Sequence, residues 1–365
     1  MKKIVFIRTD ASKKIGNGHV MRCLSLAEEL RDLGMKVVFI TREYPGNLNK
    51  QIKKMHFDVI SLLSHNKLLD NQSISEYGQW LGVSQEIDAE ETSQIVNNIE
   101  INLLIIDHYA LDETWEKKLR PYTEKIMVID DLENRSHDCD LLLDQTFGRE
   151  EFKYKKLVPN YCDLLLGSSY SLLRKSFYKL RIQAIQKRRD NNGINNILIS
   201  MGGIDENNIT SKVLMSISQI KWKKSPVVNI ILTANSPHKD KIINSIKKYD
   251  FEINIFVDVN NMAELMLHSD IAIGGGGTTS WERCALALPT ILIILAENQK
   301  TIGKNLASAG AVITLYRNNK IIKNIRQAIT VMMKKNIYME MSKNASIVCD
   351  GRGAKITSDK IIALI

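Results

Sequence analysis

Two glycine-rich turns, one near each end of the chain, constrain the fold more than any other feature. Gly16-Asn17-Gly18-His19 follows the apolar run Ile4-Val5-Phe6-Ile7, and Gly274-Gly275-Gly276-Gly277 follows Asp270-Ile271-Ala272-Ile273. After each turn the apolar period lengthens from strand-like to helix-like. Two such units far apart in a chain of 365 residues point to two α/β domains in series. Each offers the free N–H groups of a helix N-terminus to an anion. Only the first turn carries a histidine. A reacting group is therefore expected in the first domain and a phosphate holder in the second.

The remaining pattern fits that division. Lys3–Thr9, Lys36–Thr41, Asn102–Asp107, Lys125–Asp130 and Leu141–Leu143 read as short apolar strands, and Val20–Leu33 carries a helical face closed by Gly34. Between residues 45 and 100 the signal is weak, with a strand near Asp58–Leu63 and a helix near Ala89–Asn98. A second series runs through Asn196–Ser200, Val227–Leu232, Ile253–Phe256, Ile271–Ile273 and Thr290–Leu295. Such alternation predicts parallel sheets wrapped by helices. We expect an N-terminal domain over residues 1–175 and a C-terminal domain over 195–356. The Lys-, Arg- and Asn-rich stretch 176–194, ending Arg188-Arg189-Asp190-Asn191-Asn192-Gly193, reads as a linker.

Composition excludes several classes. Apolar content of 44% with 25% charged residues supplies two ordinary cores. No run of eighteen apolar residues occurs, which argues against stable membrane insertion. Met1-Lys2-Lys3-Ile4 leads into a first strand and does not read as a signal peptide. The five cysteines are scattered and odd in number, which fits a reducing cytoplasm and not a zinc ribbon. A formal charge of +9 favours anionic partners. The lysines are spread along the chain without aromatic interleaving, which argues against nucleic acid. Oligomeric state is left open.

The motifs narrow the chemistry. Gly16 and Gly18 begin a dinucleotide fingerprint, but Met21 stands where its third glycine belongs, so a NAD site is not expected. His19 falls in the first turn of a helix at the carboxyl end of a strand, where open α/β sheets bind ligands. The positive helix end favours a neutral imidazole able to accept a proton. The second turn continues Thr278-Thr279-Ser280-Trp281-Glu282, small hydroxyl side chains and free N–H groups that form an anion cradle. Glu282 is placed to hydrogen-bond a ribose, or serves only as a favourable charge near a helix N-terminus. Asp138-Cys139-Asp140 spells an acid-x-acid metal pattern, but it runs straight into Leu141-Leu142-Leu143, so alternate residues should face opposite ways. Asp130-Asp131 reads as a strand end with a capping carboxylate.

Gly16-Asn17-Gly18-His19-Val20-Met21-Arg22, Ile106-Asp107-His108-Tyr109, Met201-Gly202-Gly203 and Glu297-Asn298-Gln299 occur in that order. In this combination the chain resembles the hydrolases of pseudaminic acid biosynthesis, which act on UDP-2,4-diacetamido-2,4,6-trideoxy-β-L-altropyranose. The resemblance implies an α/β, glycosyltransferase B-type fold, with two Rossmann-like domains facing a cleft. It also implies a terminal helix, residues 357–365, crossing back to the first domain. The implied reaction is inverting hydrolysis at the anomeric carbon, releasing UDP and the free sugar with no metal and no cofactor. His19, Tyr109 and Asn298 match the family's catalytic residues. Gly16, Gly18, Arg22, Asp107, Met201, Gly202 and Gln299 would line the substrate, joined by Gly276, Gly277, Thr278, Thr279, Ser280 and Glu282 of the second turn. Extra length before residue 100 and after residue 300, with a quadruple glycine closer to related glycosyltransferases, bears on the identity of the substrate, and two other readings stand beside this one. One is a glycosyltransferase using a UDP-sugar donor, the other a non-catalytic UDP-sugar-binding module.

Overall fold

The computed structural model describes residues 2–64, 77–202 and 205–365. Gly203 of the Met-Gly-Gly motif lies outside them, as does part of the weakly patterned stretch before residue 100. The chain forms two compact units, Met1–Leu172 with Arg352–Ile365, and Leu173–Gly351.

In the first unit the elements run β1 (Ile4–Thr9), α1 (Gly18–Asp32), β2 (Lys36–Arg42), α2 (Asn49–Lys54), β3 (Asp58–Leu62), α3 (Gln85–Val96), β4 (Ile101–Asp107), α4 (Glu113–Leu119), β5 (Thr123–Ile129), β6 (Leu141–Asp144) and β7 (Asp163–Leu166). The second unit comprises α5 (Lys175–Arg189), β8 (Asn196–Ser200), α6 (Ile209–Ser218), β9 (Val227–Leu232), α7 (Lys239–Ser245), β10 (Ile253–Val257), α8 (Met262–His268), β11 (Ile271–Gly275), α9 (Thr279–Ala285), β12 (Thr290–Ile294), α10 (Gln299–Ser308), β13 (Val312–Tyr316), α11 (Ile321–Met332) and α12 (Lys335–Val348). The chain then returns to the first unit as α13 (Gly353–Leu364).

The first sheet is parallel throughout, in the order β3-β2-β1-β4-β5-β6-β7. Its strands are apolar on both faces, as a sheet covered twice requires. Val5, Ile7, Phe39, Leu103 and Ile105 share one core with Leu24 of α1 and Ile361 of α13. Phe6, Ile40, Leu104 and Ile106 share the other with Trp115 of α4. Alternate residues of each strand thus serve opposite layers. At Gly353 a Cβ would stand 2.4 Å from the backbone N and O of Ser171, so glycine lets α13 start against that loop.

Strand order reverses between β1 and β4, which pair with Thr9 opposite Asp107. The helices that follow them pack on opposite faces, α1 on one and α4 on the other, the arrangement in which open α/β sheets bind ligands at the carboxyl ends of the strands. The Gly16–His19 turn and the Asp107-His108-Tyr109 block leave the sheet at that point.

The second sheet, β10-β9-β8-β11-β12-β13, repeats the reversal between β8 and β11, and β11 delivers the quadruple glycine. Ile197, Ile199, Ile230, Ile273 and Ile291 pack with Val213 of α6 and Ile325 and Ile329 of α11. Two features differ from the expected pattern. Residues 176–194 do not form an extended linker, because most of them lie in α5. Straight-chain Lys, Arg and Gln are good helix formers, and the buried Arg188 donates to the carbonyls of Met266, Leu267 and Ser269 at the end of α8. The strands β7 and β13 are additional to those expected. Among the described residues no helix is long and apolar enough to cross a membrane.

Candidate active site

The first cluster is built where β1 and β4 part. Gly16 adopts φ +80° and its N–H donates to the Ser12 carbonyl at 2.8 Å, which closes the loop before α1. His19 and Arg22 then lie one turn apart on α1, so both side chains reach the end of β4. His19 Nδ1 lies 2.6 Å from Asp107 Oδ1. Arg22 grips the same carboxylate in a fork, Nε to Oδ2 and Nη2 to Oδ1, each at 2.7 Å. Cys23 Sγ adds a fourth contact at 3.3 Å.

These contacts define charge and tautomer. Burial alone would push the Asp107 carboxyl up, but Arg22 and then His19 outweigh it and hold the group well below the usual carboxylate range. A carboxylate is acceptor-only, so His19 Nδ1 carries a proton, and in the neutral ring the other nitrogen keeps its lone pair. Arg22 Nη1 extends to Asp131 Oδ2 at 2.9 Å, and Tyr109 donates its hydroxyl to Asp131 Oδ1. With a neutral imidazole, Asp107, Asp131 and Arg22 together carry one net negative charge.

Aromatic rings enclose the imidazole. Tyr109 stands edge-on to His19 with centroids 4.5 Å apart, and Trp80 does so at 6.1 Å. Trp80 stacks on Tyr109 at 5.6 Å, and Tyr77 meets both rings. His19 is left only 7% exposed. Trp80 and Tyr77 were not anticipated from sequence, because the stretch that carries them lacks a clear period.

Beneath the cluster lies a buried ionic layer. Arg8 donates to Asp10 and Asp88, and Arg42 donates to Asp88 and Glu91. His108 accepts from the Ala110 N–H at Nδ1 and sets Nε2 3.4 Å from Asp10. Burial lowers the His108 pKa and outweighs the attraction of Asp10. His108 thus braces the loop after β4.

In the second unit the glycine turn is shaped by close approach. A Cβ on Gly274 would stand 2.4 Å from the Ser200 carbonyl, one on Gly275 3.2 Å from the Met201 carbonyl, and one on Gly276 3.1 Å from Gln299 Cβ. A Cβ on Gly277 would meet nothing within 4 Å among the described residues. Gln299 Oε1 accepts from Gly276 N at 3.3 Å and from Leu295 N at 3.0 Å, tying the turn to the loop after β12. Arg283 folds back from α9 to the Gly275 carbonyl at 2.6 Å and to Ser280 Oγ at 3.2 Å. Burial lowers its pKa to about 10.

The structure therefore gathers Gly16, Gly18, His19, Arg22, Asp107 and Tyr109 in the first unit, and Met201, Gly276, Thr278–Ser280, Glu282 and Gln299 in the second. The partners of these side chains differ within each group. Arg22 and Asp107, expected to line substrate, spend their polar atoms on each other and on their neighbours. Ser280 is buried with its Oγ accepting from Arg283, and Gln299 Oε1 holds backbone. Burial raises the Glu282 carboxyl, with Arg174 Nη2 3.6 Å away opposing it. Gly202 takes φ +90° and is exposed, and Asn298 is the exposed N-cap of α10 without a capping side-chain bond. Asp138 and Asp140 both bind Arg120, so the acid-x-acid pattern serves an ion pair.

These two units define a glycosyltransferase B-type α/β fold. Matching over full length, MurG from Acinetobacter baumannii superposes with TM-score 0.69 at 14% identity, covering 100% of both chains. UDP-GlcNAc 2-epimerase from Neisseria meningitidis, bound to UDP-GlcNAc, does so with TM-score 0.64 at 13% identity, again over 100% of both. Residues 196–356 match the glycosyltransferase family 28 C-terminal domain.

Among sequences, the chain is 27% identical to the UDP-2,4-diacetamido-2,4,6-trideoxy-β-L-altropyranose hydrolase of Campylobacter jejuni, over 84% of this chain and 97% of that one. The resemblance carried by the four motifs thus extends along most of the chain. An uncharacterized protein of Methanocaldococcus jannaschii is 28% identical over 81% of this chain. The match spans 56% of that relative's length.

Proposed function

We propose that this chain is a UDP-sugar hydrolase. Its substrate would be UDP-2,4-diacetamido-2,4,6-trideoxy-β-L-altropyranose, cleaved to UDP and the free sugar with inversion and without a metal. The observation that carries the reading is the His19 Nδ1–Asp107 bond of 2.6 Å, which leaves the second ring nitrogen as a proton acceptor. The motif resemblance and the Campylobacter jejuni relative supply the substrate.

In this reading the second unit holds UDP, with Thr278 and Thr279 near the phosphates, Glu282 at the ribose and the Gly276–Gly277 backbone in close approach. Water attacks the anomeric carbon of the sugar and its oxygen–carbon bond forms. One water proton passes to His19, and the bond from the anomeric carbon to the phosphate oxygen breaks with its electron pair leaving on UDP. Asp107 orients the imidazole and offsets the charge it gains. Backbone donors of the glycine turn stabilise the departing diphosphate. Asn298, exposed on the loop after β12, positions the sugar or the water. Five free cysteines suit a reducing cytoplasm.

The test is UDP release from that sugar nucleotide with chelator present and no acceptor, the anomeric product followed by NMR. His19→Ala should lower turnover by about a hundredfold or more. A loss below about tenfold would remove His19 from the base role. A second reading, a glycosyltransferase with the same donor, draws on the family 28 match over residues 196–356. Tight UDP binding with no UDP release until an acceptor is added would favour it.

A further inference from the structure

We propose that Asp131 fixes the hydrogen-bond polarity of Tyr109, so that the phenol oxygen and the free nitrogen of His19 form a pair of acceptors for one water molecule. The inference rests on the hydrolase reading and assigns a positioning role to a residue that the motifs do not include.

Four side chains form a connected series. Asp107 ends β4, and Tyr109 follows two residues later. Asp131 lies two residues beyond the neighbouring strand β5, so it stands at the same carboxyl end of the sheet. Arg22 joins the two carboxylates through one planar group, with Nε and Nη2 on Asp107 and Nη1 on Asp131. Because the guanidinium is rigid, its fork sets where Asp131 stands relative to Asp107. Tyr109 ends the series by donating to Asp131 Oδ1.

The direction of that last bond is the functional point. Arg22 and Tyr109 outweigh burial and hold the Asp131 carboxyl below its ordinary value, so it is ionised at neutral pH and only accepts. Tyr109 must therefore spend its one proton on Asp131. Its oxygen keeps only lone pairs for any other partner. His19, its Nδ1 proton likewise spent on Asp107, also offers only a lone pair. The two rings meet edge to face with their centroids 4.5 Å apart. A water bridging them would donate one O–H to each, leaving its own lone pairs free for an electrophilic carbon. A phenol that donated into the site would occupy one of those lone pairs and blunt the nucleophile.

Asp131→Asn tests this, since its amide can donate to the Tyr109 oxygen and release the phenol proton toward the site. In protein labelled with ¹³C at tyrosine Cζ, the Tyr109 signal, assigned with Tyr109→Phe, should move in Asp131→Asn. The His19 ¹⁵N pattern of a protonated Nδ1 should persist. Turnover should fall by about tenfold to a hundredfold, UDP affinity by calorimetry should stay within about twofold, and Tyr109→Phe should add little on the Asp131→Asn background. An unmoved Cζ signal would overturn the bond itself. A moved signal with wild-type turnover would overturn its role in the reaction. A wild-type chain that releases no UDP, with the signal still moving, would sink the hydrolase reading and leave the polarity of Tyr109 standing.

Discussion

His19 and Asp107 share a 2.6 Å contact in which the carboxylate is also forked by Arg22. The guanidinium neutralises much of the charge that Asp107 would otherwise present to the imidazole. Asp107 therefore acts on His19 chiefly by holding its proton on Nδ1 and its ring in place.

Asp107→Asn should lower turnover by about 10²- to 10⁴-fold, because an amide can stabilise the wrong tautomer. It also leaves the buried Arg22 with a single carboxylate, and breaking a buried pair costs about 3–5 kcal/mol. Turnover and thermal melting together check both effects. Unchanged kinetics in a folded Asp107→Asn protein would refute the tautomer argument.

The glycines of the second turn should separate by environment. Gly274→Ala drives a Cβ to 2.4 Å from the Ser200 carbonyl and against the Arg283 guanidinium, so it should destabilise the second unit. Gly277→Ala meets nothing within 4 Å and should leave stability within about 0.5 kcal/mol of the parent. If the turn receives UDP, Gly277→Ala should nonetheless weaken UDP binding, measured by calorimetry. Full affinity in Gly277→Ala would place the diphosphate elsewhere.

Acid should attack the ionic layer beneath the first cluster. Burial would raise the Asp88 carboxyl, but Arg8 and Arg42 outweigh it and lower its folded pKa. A folded value below the unfolded one of about 3.9 means that its stabilisation is present above about pH 4 and is lost as pH falls further. Asp88→Asn should cost about 3–5 kcal/mol at pH 7, since it strips Arg8 and Arg42 of a shared partner. Urea unfolding at pH 7 and below pH 4 should show that penalty shrinking in acid. A penalty independent of pH would contradict the ionised Asp88.

Much of this arrangement could be read from local pattern. The strands β1, β2, β4 and β8 to β12 announce themselves because apolar runs bounded by polar residues are local properties, and both glycine turns follow directly from them. His19 was accessible for the same reason, as a residue in the first turn of a helix after a strand. The stretch 176–194 misled because a basic, amide-rich composition suits a solvated loop and a helix alike. Its helical state comes with the burial of Phe177, Ala184 and Arg188, which composition does not reveal. Short strands such as β7 carry too few residues to establish a period.

Side-chain partnership was a different matter. Arg22 and Asp107 were recognised as important, but whether they face a ligand or each other depends on how α1 lies over the end of β4, 85 residues away in sequence. Trp80, Tyr77 and Asp131 are brought to His19 and Tyr109 by packing between elements with no shared local signal. The sequence by itself determined two parallel α/β units, a glycine turn in each and a histidine at the first. Only the tertiary structure decided which nitrogen of that histidine holds the proton and which way the Tyr109 hydroxyl donates. Periodicity is a property of neighbours along the chain, whereas the direction of a buried hydrogen bond is set by charges that meet only after the strands have ordered side by side.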